Sequence, residues 1–224
     1  SPPAVIEAYD ISHTSGSQNV AGMVVFKNGS PYKAAYKRFI IKGFSGQDDC
    51  ASMAEVLTRR LQRYESEKGQ NDGFGRLPDL ILLDGGSAQL GAVLPVVRGA
   101  GLDIPVFGMV KDSRHKTRAI AAGGGEIALS AQRCAYTLVS QIQEEAHRFA
   151  VGYHRSRRKA AALAGTLTNI EGVGEARARA LLKHFKTMKA IEGAGEAQLA
   201  EAPGISRKLA AVIYAVLHGG PAPA

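Results

Sequence analysis

Three polar side chains, far apart in the sequence, occupy positions that could form one reactive site. Asp10 lies near the end of the first predicted strand, Asp84 follows a short apolar strand, and His147 lies on a predicted helix. Two carboxylates and one imidazole are a hard set of ligands with open coordination positions, which suits Mg²⁺ or Mn²⁺ better than a structural zinc ion. A cation held there can activate water and neutralise charge on a phosphate group. The predicted chemistry is metal-dependent hydrolysis of a phosphodiester.

Each of these residues also has a structural interpretation. Asp84 interrupts an apolar run, and a buried unpaired charge costs on the order of several kcal/mol. A cap on the helix that begins near Ser87 would also account for this carboxylate. Asp10 would also be explained by a hydrogen bond to the backbone of the following loop. A lone histidine such as His147 is more often a solvated or core residue. Position alone favours the site for the two aspartates but not for His147.

The elements that would position these residues follow from the hydrophobic pattern, which predicts three strands and a helix, then two further strand–helix pairs. In chain order the predicted elements are Val5–Ile11, Val20–Lys27, Tyr32–Ile41, Asp48–Glu65, Asp79–Leu83, Ser87–Arg98, Ile104–Val110 and Arg133–Val151. This order predicts an α/β domain, an RNase H-like mixed sheet with flanking helices. A dinucleotide-binding fold is disfavoured, because the first strand leads into another strand and not into a glycine-rich turn.

The same sheet order predicts how the polar residues meet. In an RNase H-like sheet the first and fourth strands are neighbours, so Asp10 and Asp84 would approach each other from adjacent strand ends. The last helix crosses beside those ends and can deliver His147. The fold therefore supplies the convergence that the residue types alone leave open.

Composition sets outer limits on the function. The 224 residues are 45% hydrophobic and 21% charged, which is ordinary globular material with room for two small domains. No apolar run approaches the roughly 20 residues of a membrane span, and Ser1-Pro2-Pro3 lacks a signal-peptide layout. Cys50 and Cys134 are too far apart to form a metal motif, and two free thiols indicate a cytoplasmic protein. From Val151 onward, 11 Lys/Arg against 5 Asp/Glu leave a net charge of +6 out of +8, which favours a polyanionic partner.

A weak internal repeat follows in the C-terminal part. Leu167–Gly174 precedes a predicted helix Glu175–Lys186, and Leu199–Ser206 precedes a predicted helix Arg207–Leu217. Glycine permits the positive φ of a tight turn, and the amide groups of the next helix are then free for phosphate oxygens. This pattern resembles the helix-hairpin-helix motif, which binds the DNA backbone without reading sequence. The predicted DNA-binding residues are Gly172, Gly174, Arg177, Gly204, Ser206, Arg207 and Lys208.

The alternative for this region is a plain four-helix packing unit, in which the glycines only end helices. Two copies with matching hydrophobic spacing favour the DNA-binding interpretation. Ser206 departs from the pattern, because a second glycine is expected there. The predicted affinity is modest, non-specific and strongly dependent on salt.

Four motifs in the same order resemble the C-terminal half of the UvrC family, the incision subunits of bacterial nucleotide excision repair. They are Tyr9-Asp10-Ile11-Ser12-His13-Thr14, the Asp48-Asp49 pair at a helix start, Leu82-Leu83-Asp84-Gly85-Gly86 with Gln89, and Glu144-Glu145-Ala146-His147-Arg148-Phe149-Ala150. The tandem hairpins match the same family's C-terminus, so the resemblance covers nearly the whole chain.

The resemblance implies an RNase H-like endonuclease that makes the cut 5′ to a bulky DNA lesion. It implies a metal triad of Asp10, Asp84 and His147, with Asp49 as a supporting acidic residue. The implied domains are an endonuclease domain over residues 1–152 and a tandem helix-hairpin-helix domain over 166–224. Between them, the basic, Ala-rich segment 153–165 is interpreted as a linker or a short helix. The family's other nuclease domain and its UvrB-binding segment are expected to lie outside this chain. The UvrB–DNA complex would then be a partner through the full-length protein.

The expected reaction is in-line attack by metal-activated water on damaged double-stranded DNA, leaving a 5′-phosphate and a 3′-hydroxyl. No interaction with a membrane is expected. No nucleotide cofactor is expected either, because no phosphate-binding P-loop motif occurs in the sequence. Two rivals remain: a ribonuclease H or endonuclease V-like enzyme on the same core, and a non-catalytic DNA-binding module. His13 and a basic loop with Lys111 and Lys116 are further candidates for shaping the site or touching the substrate, and structural or solvated roles would explain them equally well.

Overall fold

A computed structural model describes residues 2–13, 19–43, 48–70, 73–114, 116–129 and 131–219. Thr14, which belongs to the first family motif, and residues 220–224 of the predicted C-terminal domain lie outside these ranges. The chain divides into two compact units, Ser1–His154 and Arg155–Ala224, which are described separately below. Within the described ranges, none of the helices combines the length and the apolar character that a membrane crossing requires.

The first unit is built on one mixed sheet. Its strands are β1 (Val5–Ser12), β2 (Val20–Lys27), β3 (Ser30–Pro31), β4 (Lys37–Ile40), β5 (Leu80–Asp84), β6 (Val106–Lys111), β7 (Thr117–Ala122) and β8 (Gly125–Ala128). The order across the sheet is β3-β2-β1-β5-β6-β7-β8, and β4 also pairs with β2. Strands β1, β5 and β6 are mutually parallel, and the flanking strands are antiparallel. The predicted RNase H-like mixed sheet is confirmed.

Helices cover both faces of this sheet. Helices α1 (Asp49–Glu67) and α2 (Ser87–Gly99) pack on one face, against a core that includes Tyr9 and Leu83. Helix α3 (Arg133–Thr168) packs on the other face through Ile142 and Ala146. Side chains alternate between faces along a strand, so β1 is buried on both sides.

The face of β1 that looks toward α1 carries a buried ion pair. Arg60 donates to both carboxylate oxygens of Glu7, with a shortest distance of 2.7 Å, and Tyr9 donates its hydroxyl to the same carboxylate. Arg60 also donates to the carbonyl oxygens of Phe74 and Arg76. A buried pair needs this degree of hydrogen bonding to offset desolvation. These charges are satisfied within the fold and lie on the sheet face opposite Asp10.

Two parts of the sheet differ from the sequence prediction. The first part of the predicted strand Tyr32–Ile41 is a 3-10 turn at Lys33–Ala35, and β4 begins only at Lys37. The turn starts two residues after Pro31, which has no amide hydrogen for a strand ladder. The hairpin of β7 and β8 was not predicted, apart from its glycine turn. Its strands are rich in small residues, and β8 is exposed throughout, so the alternation that reveals a half-buried strand is weak.

The basic segment 153–165, for which a linker and a short helix were both considered, is helical. Helix α3 was predicted to end near Val151, but it continues through residues 153–165 to Thr168. Ala160-Ala161-Ala162 and the neighbouring Arg and Lys residues have high helix propensity, which outweighs Gly152. The division between the two units falls inside this segment, after His154.

The second unit contains two copies of one helical hairpin. After the end of α3 it contains α4 (Glu175–Phe185), α5 (Met188–Glu192), α6 (Glu196–Leu199) and α7 (Arg207–Leu217). Buried residues of the first copy recur 32 positions later in the second. The buried pairs are Leu167 and Leu199, Ile170 and Ala202, Val173 and Ile205, Ala178 and Ala210, and Leu181 and Ile213.

Candidate active site

Neighbouring strand ends bring Asp10 and Asp84 together. Strands β1 and β5 are parallel, and their register pairs Tyr9 with Leu83. The residues that follow this pair, Asp10 and Asp84, therefore point to the same face of the sheet at the same level. Alternation along β1 places the carboxylate of Asp10 on the side covered by α3.

Helix α3 approaches this position closely because the residue opposite Asp10 is a glycine. Gly22 on β2 pairs with Asp10 in the antiparallel register. A Cβ atom at Gly22 would lie 3.1 Å from the backbone and the Cβ of Ala150, one turn beyond His147 on α3. Any larger residue would push the helix outward. Gly22 was not among the predicted site residues, and no sequence motif marks it.

The three predicted residues form one cluster. One donor atom from each of Asp10, Asp84 and His147 lies within 4.8 Å of the other two. The Nδ1 atom of His147 is 3.1 Å from Oδ2 of Asp10. The two carboxylates are buried, whereas the His147 side chain is 60% exposed. The cluster is thus closed on the sheet side and open to solvent on the helix side.

The carboxylates repel each other electrostatically. The pKa of Asp10 is raised to about 9, first because burial disfavours the charged form and then because Asp84 is negatively charged. Lys111 acts in the opposite direction, and Asp49 adds to the increase in pKa. A divalent cation between the carboxylates would relieve this repulsion. The donor set therefore fits a divalent metal ion with oxygen preference.

Two residues that were not assigned to the metal site hold Asp84 in place. Gln143 donates its amide to Oδ1 of Asp84 at 2.7 Å and to the carbonyl oxygen of Met109 at 3.2 Å, and it accepts the hydroxyl hydrogen of Thr117. The ammonium of Lys111 lies 2.7 Å from Oδ2 of Asp84. Gln143 precedes His147 by one helical turn, and this spacing is the signal that could have identified it.

The helix-cap alternative for Asp84 does not hold in the structure. The N-cap of α2 is Gly86, and no side chain caps that helix. Both carboxylate oxygens of Asp84 are instead directed to Lys111 and Gln143.

Asp49 lies near the cluster without belonging to it. It is the first residue of α1, and its carboxylate contacts Nε2 of His13, which follows β1. Burial lowers the pKa of His13, but hydrogen bonds to Asn19 and Asp49 outweigh it and the pKa is raised. Within the described ranges, the potential metal-binding group contains Asp10, Asp84 and His147 alone. Asp49 and His13 form a pair beside the site.

The second unit has two equivalent turns. Gly172 and Gly204 both have a φ of +80°, a conformation that favours glycine. The amide of Val173 donates to Ile170, and the amide of Ile205 donates to Ala202 in the second copy. Gly174 caps α4 without a side-chain hydrogen bond, whereas the hydroxyl of Ser206 accepts from the amide of Leu209 at 3.2 Å. The second turn thus has one fewer free amide group.

Arg177 connects the two turns. Its guanidinium donates to the carbonyl oxygen of Gly172 at 2.7 Å and to that of Gly204 at 3.0 Å. Leu209, the counterpart of Arg177 in the repeat, packs over Gly172, where a Cβ would lie 2.9 Å from its Cδ1. Arg207 and Lys208 are exposed at the start of α7. Arg177 was predicted only as a charge beside the turns. In the structure its hydrogen bonds to the two glycine carbonyl oxygens also join the turns to each other.

Comparison with family models gives the class of protein. Residues 1–151 match the UvrC RNase H endonuclease domain, and residues 164–218 match the SAM-like helix-hairpin-helix tandem. Fold and site together define an RNase H-like endonuclease followed by tandem hairpins. Because the first match covers more than half of the chain, the chain belongs to the UvrC family.

Relatives agree with this assignment. UvrABC system protein C of Acetivibrio thermocellus is 45% identical over 95% of this chain and 36% of that protein. The protein of the same name from Clostridium acetobutylicum is 42% identical over 97% of this chain and 36% of that protein. The chain thus spans about a third of the length of these relatives. The structure of human ENDOV is 10% identical, covers 70% of this chain and 86% of that chain, and has a TM-score of 0.40, which is too low to add to the assignment.

Proposed function

We propose that this chain hydrolyses phosphodiester bonds in DNA at a divalent metal ion held by Asp10, Asp84 and His147. The observation that carries the proposal is the meeting of these three side chains at one sheet edge. Two buried carboxylates that share a site are electrostatically costly unless a cation or a proton offsets them. Their cost to stability is explained if the site serves metal binding.

The residues around the site have separable roles in this proposal. Asp10 and Asp84 provide oxygen ligands, and exposed His147 closes the ligand set on the solvent side. When bound, the cation would supply Lewis acidity toward a phosphate oxygen and favour ionisation of a water molecule. Gln143 fixes the orientation of Asp84, as outer hydrogen bonds do for metal ligands in general. Either Mg²⁺ or Mn²⁺ would suit this donor set.

Lys111 is well placed to act on the substrate. Its ammonium contacts Asp84, but the Lys111 side chain is 30% exposed, so it can also reach a phosphate that enters the site. A cation beside the scissile phosphate stabilises the charge that develops on the phosphate oxygens during attack. Asp49 acts on the site indirectly, because it contacts His13 and its negative charge raises the pKa of Asp10.

The tandem hairpins are proposed to hold the DNA backbone. The start of α4 presents amide groups without a side-chain cap, and Arg207 and Lys208 are exposed at the start of α7. Amide groups at a helix start bind phosphate oxygens, and such contacts carry no sequence information. Replacing Arg207 and Lys208 by Ala should reduce the slope of log affinity against log salt concentration by about 1 for each phosphate that the variant no longer neutralises. An unchanged slope would remove these two residues from the interface.

The substrate is proposed from the relatives. They are named UvrABC system protein C, and the family resemblance implies excision repair in the bacterial cytoplasm. We infer that the full-length protein, loaded by UvrB, uses this chain to cut damaged double-stranded DNA on the 5′ side of a bulky lesion. RNA–DNA hybrid and deaminated-base DNA serve as comparison substrates, because cleavage of either in preference to lesion DNA would support the rival enzymes.

The direct test replaces Asp10 by Asn in the full-length protein. End-labelled lesion DNA with UvrB and Mg²⁺ should then lose the 5′ cut and retain the 3′ cut. Asp103→Asn is the matched control, since Asp103 is exposed and precedes β6. A 5′ cut that survives in the Asp10→Asn variant at the parental rate would refute catalysis at this cluster.

A further inference from the structure

We propose that a cleft next to the three-residue cluster binds the nucleotide adjacent to the cleaved bond, with its base on Tyr136 and its phosphate near Lys116. This inference rests on the proposed function, because it assigns the substrate path leading to the same site. The cleft has a volume of about 450 Å³ and is lined by residues that include Lys111, Lys116, Tyr136, Ser140, Gln143 and His147. It lies entirely within the first unit.

One wall of the cleft is a single stripe of α3. Tyr136, Ser140, Glu144 and His147 recur at intervals of three or four residues, so they share one helix face. The 11 residue-to-residue steps from Tyr136 to His147 span about 16 Å at the rise of an α-helix. This length accommodates more than one nucleotide. The stripe ends at His147, so a chain that follows it arrives at the metal-binding cluster.

The other wall provides positive charge from a structured turn. The carbonyl oxygen of Lys116 accepts from the amide of Asp112, whose carboxylate accepts from the amides of Arg114 and Lys116. These hydrogen bonds hold Lys116 just before β7, and Lys111 ends β6 on the same wall. Glu144 is the acidic residue of the lining. Because Lys111 is already paired with Asp84, the phosphate of the occupant is assigned to Lys116.

Two features of the cleft fit a nucleoside better than a simple anion. Tyr136 is 36% exposed and lines the cleft, so its ring is available as a stacking surface. The Oγ atom of Ser140 is buried yet has no hydrogen-bond partner within the described part of the chain. A buried polar atom of this kind is unfavourable unless a partner satisfies it. After a change of rotamer that turns this hydroxyl into the cleft, a base or sugar would supply that partner.

A nucleotide as the occupant accounts for both the aromatic and the basic residues that line the cleft. Stacking on tyrosine suits every base, since each has a π-face, and therefore suits a nuclease that cuts beside lesions in any sequence. A lysine on the opposite wall reaches the phosphate that follows the base. Neither group reads sequence, which agrees with the backbone contacts proposed for the hairpins.

The test uses photocrosslinking in the full-length protein. Lesion DNA carries 5-iododeoxyuridine at the nucleotide on either side of the 5′ cut and is loaded by UvrB onto the Asp10→Asn variant, which leaves the strand intact. One of the two positions should crosslink to Tyr136. Tyr136→Leu should abolish this crosslink, and Tyr32→Leu is the control, because Tyr32 is 48% exposed and lies on a different part of the sheet.

Kinetics provide the second readout in the otherwise unaltered protein. Tyr136→Leu, Ser140→Ala and Lys116→Ala should each lower the rate of the 5′ cut about 10-fold, without changing Mn²⁺ affinity or the 3′ cut. Crosslinks that map to other peptides, together with unaltered cleavage by all three variants, would overturn the inference. If the cleft variants give that result while Asp10→Asn abolishes the 5′ cut, the inference about the cleft fails and the proposed function stands. If Asp10→Asn cuts normally, the proposed function itself fails.

Discussion

The imidazole of His147 lies 3.1 Å from the carboxylate of Asp10, although the two residues are 137 positions apart. One belongs to helix α3 and the other to strand β1. Their approach depends on Gly22, because a side chain there would meet α3 at Ala150. Close packing of a helix on a glycine thus sets the dimensions of the candidate site.

Gly22→Val should weaken the metal site by separating α3 from β1. A Cβ at position 22 would lie only 3.1 Å from Ala150, so the larger Val side chain forces the backbone to move. We therefore expect Mn²⁺ affinity and the rate of the 5′ cut to fall at least ~10-fold, in the range seen when support of metal ligands is removed. Calorimetric titration with Mn²⁺ measures the first effect. Gly91→Ala on α2 is the control, since a Cβ there meets nothing within 4 Å. Parental Mn²⁺ affinity in Gly22→Val would show that the helix position does not matter.

The protonation of Asp10 predicts a pH dependence of stability in the metal-free protein. Its pKa is raised from 3.8 to about 9, so the folded state holds a proton that the unfolded state releases between these values. The free energy of unfolding therefore decreases as pH rises through this window. Asp10→Asn removes this decrease and should raise the melting temperature in EDTA, with a gain that grows from pH 5 to pH 8. We expect at least ~1 kcal/mol at pH 8, or roughly 2–4 °C.

Asp103→Asn serves as the control for this experiment and should leave the melting temperature unchanged at each pH. A gain in Asp10→Asn that is constant with pH would contradict the raised pKa. Mn²⁺ binding to the parental protein should also release protons below pH 9, because the metal takes only the ionised carboxylate.

Lys111→Met should have opposite effects on metal binding and on catalysis. The ammonium at 2.7 Å from Asp84 competes with a cation for the same carboxylate, so its removal should raise Mn²⁺ affinity about 3- to 10-fold. The same change should lower the single-turnover cleavage rate at saturating metal about 10-fold, because the variant has no positive charge at this point near the phosphate. Lys116→Met should leave Mn²⁺ affinity unchanged. Weaker metal binding by Lys111→Met would mean that Lys111 supports the site rather than competing within it.

Two glycines of the first hairpin should respond differently to substitution by alanine. Gly172→Ala places a Cβ at a φ of +80° and 2.9 Å from Leu209, so the second unit should lose at least ~1 kcal/mol of stability. Gly174→Ala meets no atom within 4 Å at a φ of −78°, so its cost should be smaller and limited to the weaker preference of Ala for the N-cap position of α4. Its methyl group stands beside the free amides of α4, however, and DNA affinity should fall. Thermal melting and fluorescence anisotropy with duplex DNA separate the two effects, and equal stability of the variants would contradict this description of the turn.

Much of the site could be predicted because strand and repeat periodicities are local signals. Asp10 lies near the end of β1 and Asp84 ends β5, and parallel neighbours bring such ends to one edge. The turns at Gly172 and Gly204 were indicated by the repeat, and both adopt the positive φ that the motif requires. His147 needed the family resemblance, because a single histidine on a helix carries no local signal of its own.

The remaining features depend on tertiary contacts that no local pattern encodes. Lys111 was predicted in a loop, but it ends β6 and pairs with Asp84. Gln143 is recognisable as a site residue only when α3 is known to cross that edge. Arg177 was predicted as a surface charge, whereas its two hydrogen bonds to carbonyl oxygens arise from the packing of one hairpin on the other.

The central claim is that Asp10, Asp84 and His147 share one metal ion. The most direct measurement is a crystal structure of this chain soaked with Mn²⁺, with data collected for the anomalous signal of manganese. We predict an anomalous peak about 2.0–2.6 Å from a carboxylate oxygen of Asp10 and of Asp84, with the His147 imidazole as a further ligand. A fully occupied Mn²⁺ site elsewhere, with Asp84 still paired to Lys111 and no ion between the carboxylates, would contradict the account.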